Sequence, residues 1–131
     1  GPAIAAMGMK AVSQGLTTLM SELCEYDLNR ITPELIAQAA RDGDEVAKDI
    51  YERAGFYLGI TVANICVALG PRRVIIGGGV SKAGDLLLDP IRRTLRERVT
   101  VMPIEEVEVV PSKLGDNAGV IGVACWAAND S

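Results

Sequence analysis

Residues Arg73 to Val80 read RVIIGGGV, a short run of strand formers leading straight into Gly77, Gly78 and Gly79. Three successive glycines carry no Cβ, so backbone amides and a flat ligand group can approach to contact distance there. A helical pattern follows within a few residues, and the free amides at a helix N-terminus attract an anion. The chemistry this favours is recognition of a nucleotide through backbone atoms, rather than bond-making by side chains. The glycines do not follow the Gly-x-Gly-x-x-Gly dinucleotide spacing, and no acidic residue closes a following strand about twenty residues on. Nor is this a Walker loop, since no Gly-Lys-Ser/Thr follows. Lys82 is the nearest lysine and reads as a surface residue. A tight turn without a ligand is the alternative reading of the same glycines.

The other residues capable of chemistry are few. The chain has no histidine, which removes the usual general base and the commonest metal ligand together. No residue is singled out as catalytic, and none as a metal ligand. Cys24, Cys66 and Cys125 are odd in number and far apart, each in an apolar neighbourhood. They read as buried thiols of a reducing compartment. A net charge of −4 argues against nucleic acid, which needs a basic face. Arg92, Arg93, Arg96 and Arg98 form the one basic cluster, beside Glu97, and read as a solvated helix face. No run reaches the length of a membrane span, and the start lacks a basic region followed by an apolar stretch. The expected setting is the cytoplasm.

The elements that must position the glycine run come from the apolar spacing. The 131 residues suffice for one domain. With 49% hydrophobic but only 4% aromatic residues, its core must be mostly aliphatic. Ala3 to Val12 reads as a helix, interrupted at Ser13-Gln14-Gly15 and resuming from Leu16 to Leu23; Cys24 to Ile31 reads as a loop. Thr32-Pro33-Glu34 is a helix start, with a capping hydroxyl, a proline in the first turn and an acidic residue at the positive helix end. That helix stops at Arg41-Asp42, Gly43 takes a left-handed conformation, and Asp44 caps the next. This next helix, Glu45 to Leu69, presents Val46, Ile50, Ala54, Tyr57, Leu58, Val62, Ile65 and Leu69 at helical spacing. Gly55 and Gly59 stand one turn apart in it and predict close approach of a neighbouring element. Arg73 to Ile76 is a strand, Gly84 to Leu88 reads as one helical turn, Asp89-Pro90 opens a helix to about Arg98, Glu106 to Val110 is a second strand, and Ala118 to about Ala128 a last helix. Strand, helix and strand in this order imply a parallel pair. The glycine run then sits at the carboxyl end of a parallel strand, where ligands gather in open α/β sheets.

The segments RVIIGGGVSKAGDLLLDPIR and KLGDNAGVIGVA resemble the carboxyl-terminal part of the ROK family of bacterial sugar kinases and sugar-responsive repressors. GPAIA resembles the segment after that family's zinc-binding region, and TPELIAQAARDGDEVAKDIYERAGFYLGITVANI resembles its long helical stretch. The resemblance covers essentially the whole chain, and its texture is closest to the glucokinase-like kinases. It implies an α/β fold: one partial domain over residues 1–131, the carboxyl-terminal lobe of an actin-like (ribonuclease H-like) ATPase, helix-rich with a short parallel strand pair. Val74 to Val80 match the family's adenosine motif. Gly77, Gly78 and Gly79 would meet the adenosine and its α-phosphate, and Val80 the base or ribose. Leu114 to Ala124 match a segment that packs at the lobe junction, where Asp116 reads as a helix cap.

The resemblance also says what is absent. The Asp-x-Gly-x-Thr phosphate loop has no match here. The catalytic aspartate, the sugar contacts, and the histidine and three cysteines that hold zinc would all precede residue 1. Cys24, Cys66 and Cys125 match none of those positions. The resemblance therefore implies the nucleotide side of an ATP-dependent hexose kinase, using Mg2+ with ATP in the longer protein and inactive as this piece alone. A second reading is the effector or oligomerisation domain of a ROK-type repressor, and a third is a standalone α/β binding module. The expected partners are nucleotide, sugar and a second copy of the chain, with no nucleic acid bound through this segment and no membrane. With only two strands expected, one edge of Arg73 to Ile76 should be open, an invitation to self-association.

Overall fold

The computed structural model describes residues 2–69, 71–77, 83–99, 108–111 and 122–127. Its element order is α1 (Pro2–Ser13), α2 (Leu19–Leu23), a 3-10 turn (Leu28–Arg30), α3 (Pro33–Arg41), α4 (Glu45–Leu69), β1 (Pro71–Gly77), α5 (Asp85–Arg98), β2 (Glu108–Pro111) and β3 (Gly122–Ala127). No helix among the described residues is long and apolar enough to cross a membrane.

The helix boundaries follow from local hydrogen bonding. Thr32 is extended, and its hydroxyl oxygen accepts the Leu35 N–H at 3.2 Å, with Pro33 in the first turn of α3. Gly43 takes φ +97° between α3 and α4, a conformation that suits a residue without Cβ. Asp44 does more than cap α4. Its Oδ2 accepts the Ala47 N–H at 3.0 Å and the Thr18 hydroxyl at 2.6 Å, while Oδ1 accepts the Leu19 N–H at 3.1 Å. The Thr18 oxygen accepts the Met20 N–H at 3.1 Å in turn. One carboxylate thus serves the starts of two helices whose caps, Thr18 and Asp44, are 26 residues apart.

The core lies where α1, α3 and α5 meet α4. Ile4, Met20, Ile36, Leu87, Ile91 and Leu95 are buried in it, with the thiols of Cys24 and Cys66. The α4 face turned inward is Ala47, Ile50, Tyr51, Gly55, Gly59, Val62, Ala63 and Cys66. It is rotated from the face expected on apolar spacing, and Tyr57 is exposed. The rotation has a steric cause. A Cβ on Gly55 would lie 2.4 Å from Pro90 Cβ and 3.0 Å from the Leu87 carbonyl oxygen, and one on Gly59 would lie 2.5 Å from Thr94 Cβ. The two glycines let α5 press against the backbone of α4, as their spacing predicted. Gly8 plays the same part for α1, where a Cβ would lie 2.6 Å from Ile36 Cδ1.

Helix α5 begins one turn before the expected Asp89-Pro90 start. Gly84 at φ +60° turns the chain into it, and Pro90 sits inside the helix. Leu87, Leu88, Ile91 and Leu95 form one buried stripe across the proline. Their burial offsets a missing backbone bond that would otherwise cost about 3 kcal/mol.

The sheet has the order β2-β1-β3. Arg73 to Ile76 of β1 run parallel to Glu108 to Pro111 of β2, and β3 pairs with β1 antiparallel, Gly77 opposite Gly122. Two expectations are corrected here. Residues 122–127 form a strand where a helix was expected over Ala118 to Ala128, and both edges of β1 are paired where one was expected to be open. Val123 and Trp126 favour the extended state, and Gly122 weakens any helix there.

Tyr51 joins α4 to α3. It is buried, and its hydroxyl donates to the Pro33 carbonyl at 2.8 Å. Burial pushes its pKa up to about 12, the Glu34 charge adds to the rise, and Arg41 opposes it. Below pH 10 the phenol is protonated folded and unfolded, so its contribution is complete. Between pH 10 and about 12 the unfolded chain ionises first, binds fewer protons, and stability falls as pH rises. Urea titrations at pH 9 to 12 should show a shallower alkaline fall for Tyr51→Phe than for wild type; equal slopes would remove this assignment.

Candidate functional site

Strand β1 delivers the glycine run. Gly77, its last residue, lies opposite Gly122 of β3, one residue beyond the pairing of β1 with β2 at Ile76. Gly78, Gly79 and Val80 lie outside the described residues, as do Lys82 and Asp116. The described chain resumes at Ala83, whose side chain is buried, and Gly84 turns it into α5.

A cleft of about 520 Å³ opens beside this turn, a volume in the range of small-ligand sites. One wall is Arg41 at the end of α3 with Lys48 and Glu52 of α4. The other is the Ala83–Gly84 turn with Asp85, Leu86, Asp89 and Pro90. Two contacts cross it. The Arg41 guanidinium donates through Nη2 to the Ala83 carbonyl at 3.3 Å, and Arg93 of α5 pairs with Glu52. Arg92 lies 3.3 Å from Asp85 and 3.4 Å from Asp89, and the guanidinium of Arg98 stands 5.3 Å from the centre of the Phe56 ring. The basic cluster of α5 is thus engaged at least in part by acidic and aromatic neighbours on the helix surface.

Chemically, the cleft combines apolar surface from Leu86 and Pro90 with carboxylates able to accept hydroxyl or amine protons, and with two cations at its rim. That suits holding a polar, partly flat molecule. Among the described residues no three His, Cys, Asp or Glu side chains are placed to hold a metal ion.

Sequence reasoning pointed to Gly77 to Val80, of which only Gly77 is among the described residues, and did not single out either wall of the cleft. Lys48 and Glu52 stand four apart, one face of a helix, which is a weak signal, and nothing local ties Arg41 to a residue 42 positions away.

The sequence pattern of the ROK family matches residues 3–130. A glucokinase of Halalkalibacterium halodurans is 37% identical over 99 residues, which is 75% of this chain and 30% of that protein. A xylose repressor of Caldicellulosiruptor bescii is 32% identical over 104 residues, 79% of this chain and 26% of that protein. The chain therefore spans less than a third of these relatives. Among solved structures, a ROK family glucokinase from Streptomyces griseus, in complex with glucose and AMPPNP, matches at a TM-score of 0.73 and 28% identity, over 90% of this chain and 39% of that one. A ROK family transcriptional regulator, a homolog of the E. coli MLC protein, matches at 0.76 and 26% identity, over 90% of this chain and 28% of that one.

Proposed function

The chain belongs to the ROK family, and from that premise we propose that it is the nucleotide side of an ATP-dependent sugar kinase of glucokinase type. In this reading it is a partial carboxyl-terminal lobe of an actin-like fold, and the longer protein transfers phosphate from ATP to a hexose hydroxyl. Gly77, Gly78, Gly79 and Val80 meet the adenosine and its α-phosphate, and the cleft beside Ala83 and Gly84 takes part of the nucleoside. The observation that carries the reading is that cleft, set at the turn between the glycine run and α5. The likeness to a glucokinase crystallised with AMPPNP supports it. Mg2+ accompanies the ATP, and zinc, the phosphate loop and the general base belong to segments outside this chain. The protein works in the cytoplasm as a homo-oligomer; exposed Leu16, Leu19 and Leu23 near α2 offer apolar surface for self-association. No nucleic acid binds through this segment.

Calorimetric titration of the chain with AMPPNP is the test. Binding is expected, and a coupled assay with ATP and glucose should show no sugar-dependent turnover by this piece alone. Gly78→Val should weaken it by about 2 kcal/mol, the cost of an overpacked contact. No binding, or equal affinity in the variant, would remove the adenosine assignment. The likeness to a xylose repressor supports a second reading, the effector domain of a sugar-responsive repressor. A helix-turn-helix in the encoded polypeptide ahead of residue 1 would favour it over the kinase.

A further inference from the structure

We propose that Arg41 is a positioning residue for the nucleotide cleft, fixing the Ala83–Gly84 turn that leads into α5; this rests on the nucleotide reading above. Arg41 ends α3, and α3 is an anchored element. Ile36, Ala37, Ala39 and Ala40 are buried along it, and the Tyr51 hydroxyl holds its first turn through the Pro33 carbonyl. From that base the guanidinium reaches across the mouth of the cleft to the Ala83 carbonyl. The acceptor is backbone, so the bond acts on the path of the chain and not on a side-chain rotamer. Ala83 is followed at once by Gly84, whose φ of +60° lies outside the usual range of other residues. A turn this permissive needs an outside tether to keep one geometry. On its far side α5 holds it, through the Leu87 and Leu88 N–H groups bonded to the Gly84 carbonyl at 3.1 and 3.0 Å. Arg41 supplies the tether on the near side. Its charge also stands with Lys48 against Glu52, Asp85 and Asp89 in the same cleft, so position and charge must be separated by experiment.

Arg41→Met keeps the stem and removes both the donor and the charge. The side chain is exposed, so the variant should remain folded, with a urea transition as cooperative as that of wild type. Affinity is then measured with two probes, AMPPNP and uncharged adenosine. If Arg41 positions the turn, both should weaken by about tenfold, the order of a lost bond to a charged donor, and hydrogen exchange should quicken at Gly84 to Leu87. A loss confined to AMPPNP would overturn positioning in favour of simple charge attraction. Equal binding of both probes by wild type and variant would remove this inference alone. Wild type that binds neither probe would remove the nucleotide reading, and this inference with it.

Discussion

Gly55→Val should lower the unfolding free energy by about 3 kcal/mol, because the new side chain has no room beside α5. Its Cβ alone would meet Pro90 Cβ at 2.4 Å and the Leu87 carbonyl oxygen at 3.0 Å. One obstacle is a ring fixed to the backbone and the other is the backbone itself, so neither can swing aside. Replacing a helical glycine returns a few tenths of a kcal/mol in propensity, which is too little to reverse the sign. Relief requires α5 to move off α4 and uncover Leu87, Ile91 and Leu95. Urea denaturation of the variant against Asn64→Ala, a change at an exposed position of the same helix, measures the effect. A midpoint equal to wild type would mean that the two helices are further apart than 2.4 Å implies.

Asp44→Ala should cost a similar amount, about 3 kcal/mol, for a different reason. The cap on α4 contributes about 1–2 kcal/mol of this. The rest comes from stranding the Leu19 N–H and the Thr18 hydroxyl, which are partly buried. Asp44→Asn keeps an acceptor and should recover about half. Proton–deuteron exchange at Leu19 and Met20 would separate the two contributions: these amides should become labile in the alanine variant, well before those of α5. Unchanged protection there would show that α2 does not depend on the carboxylate.

Much of this architecture could be read from the chain because the signals are local. Thr32-Pro33, Gly43 and Asp44 are backbone requirements satisfied within three or four residues, and the bounds of α4 agree with those read from its pattern. The face of α4 could not be read as well. A hydrophobic stripe is found from large side chains, but the inward face is set by Gly55, Gly59, Ala47 and Ala63, which carry little apolar surface. The turn at Gly84 to Leu88 and the helix from Asp89 were read as separate elements because Pro90 looks like a first-turn residue, and only tertiary burial explains its place inside one helix. The strand at 122–127 was read as a helix because its many small residues leave the decision to partners far away in sequence. The cleft divides in the same way: Ala83 and Gly84 follow a recognisable glycine run, whereas Arg41, Lys48 and Glu52 join it only through the packing of α3 and α4.

The burial of Cys24 and Cys66, 0% and 1% exposed, gives the molecule two built-in clocks. A thiol reagent can reach neither sulfur until the structure around it opens, so labelling rate reports opening rather than reactivity. Cys24 ends the short α2, whose tether is Asp44. Cys66 lies on α4, the helix that packs on α1, α3, α5 and β1. With Cys125 replaced by serine, the slower thiol times the loss of the whole fold, and the faster one times the release of a single corner.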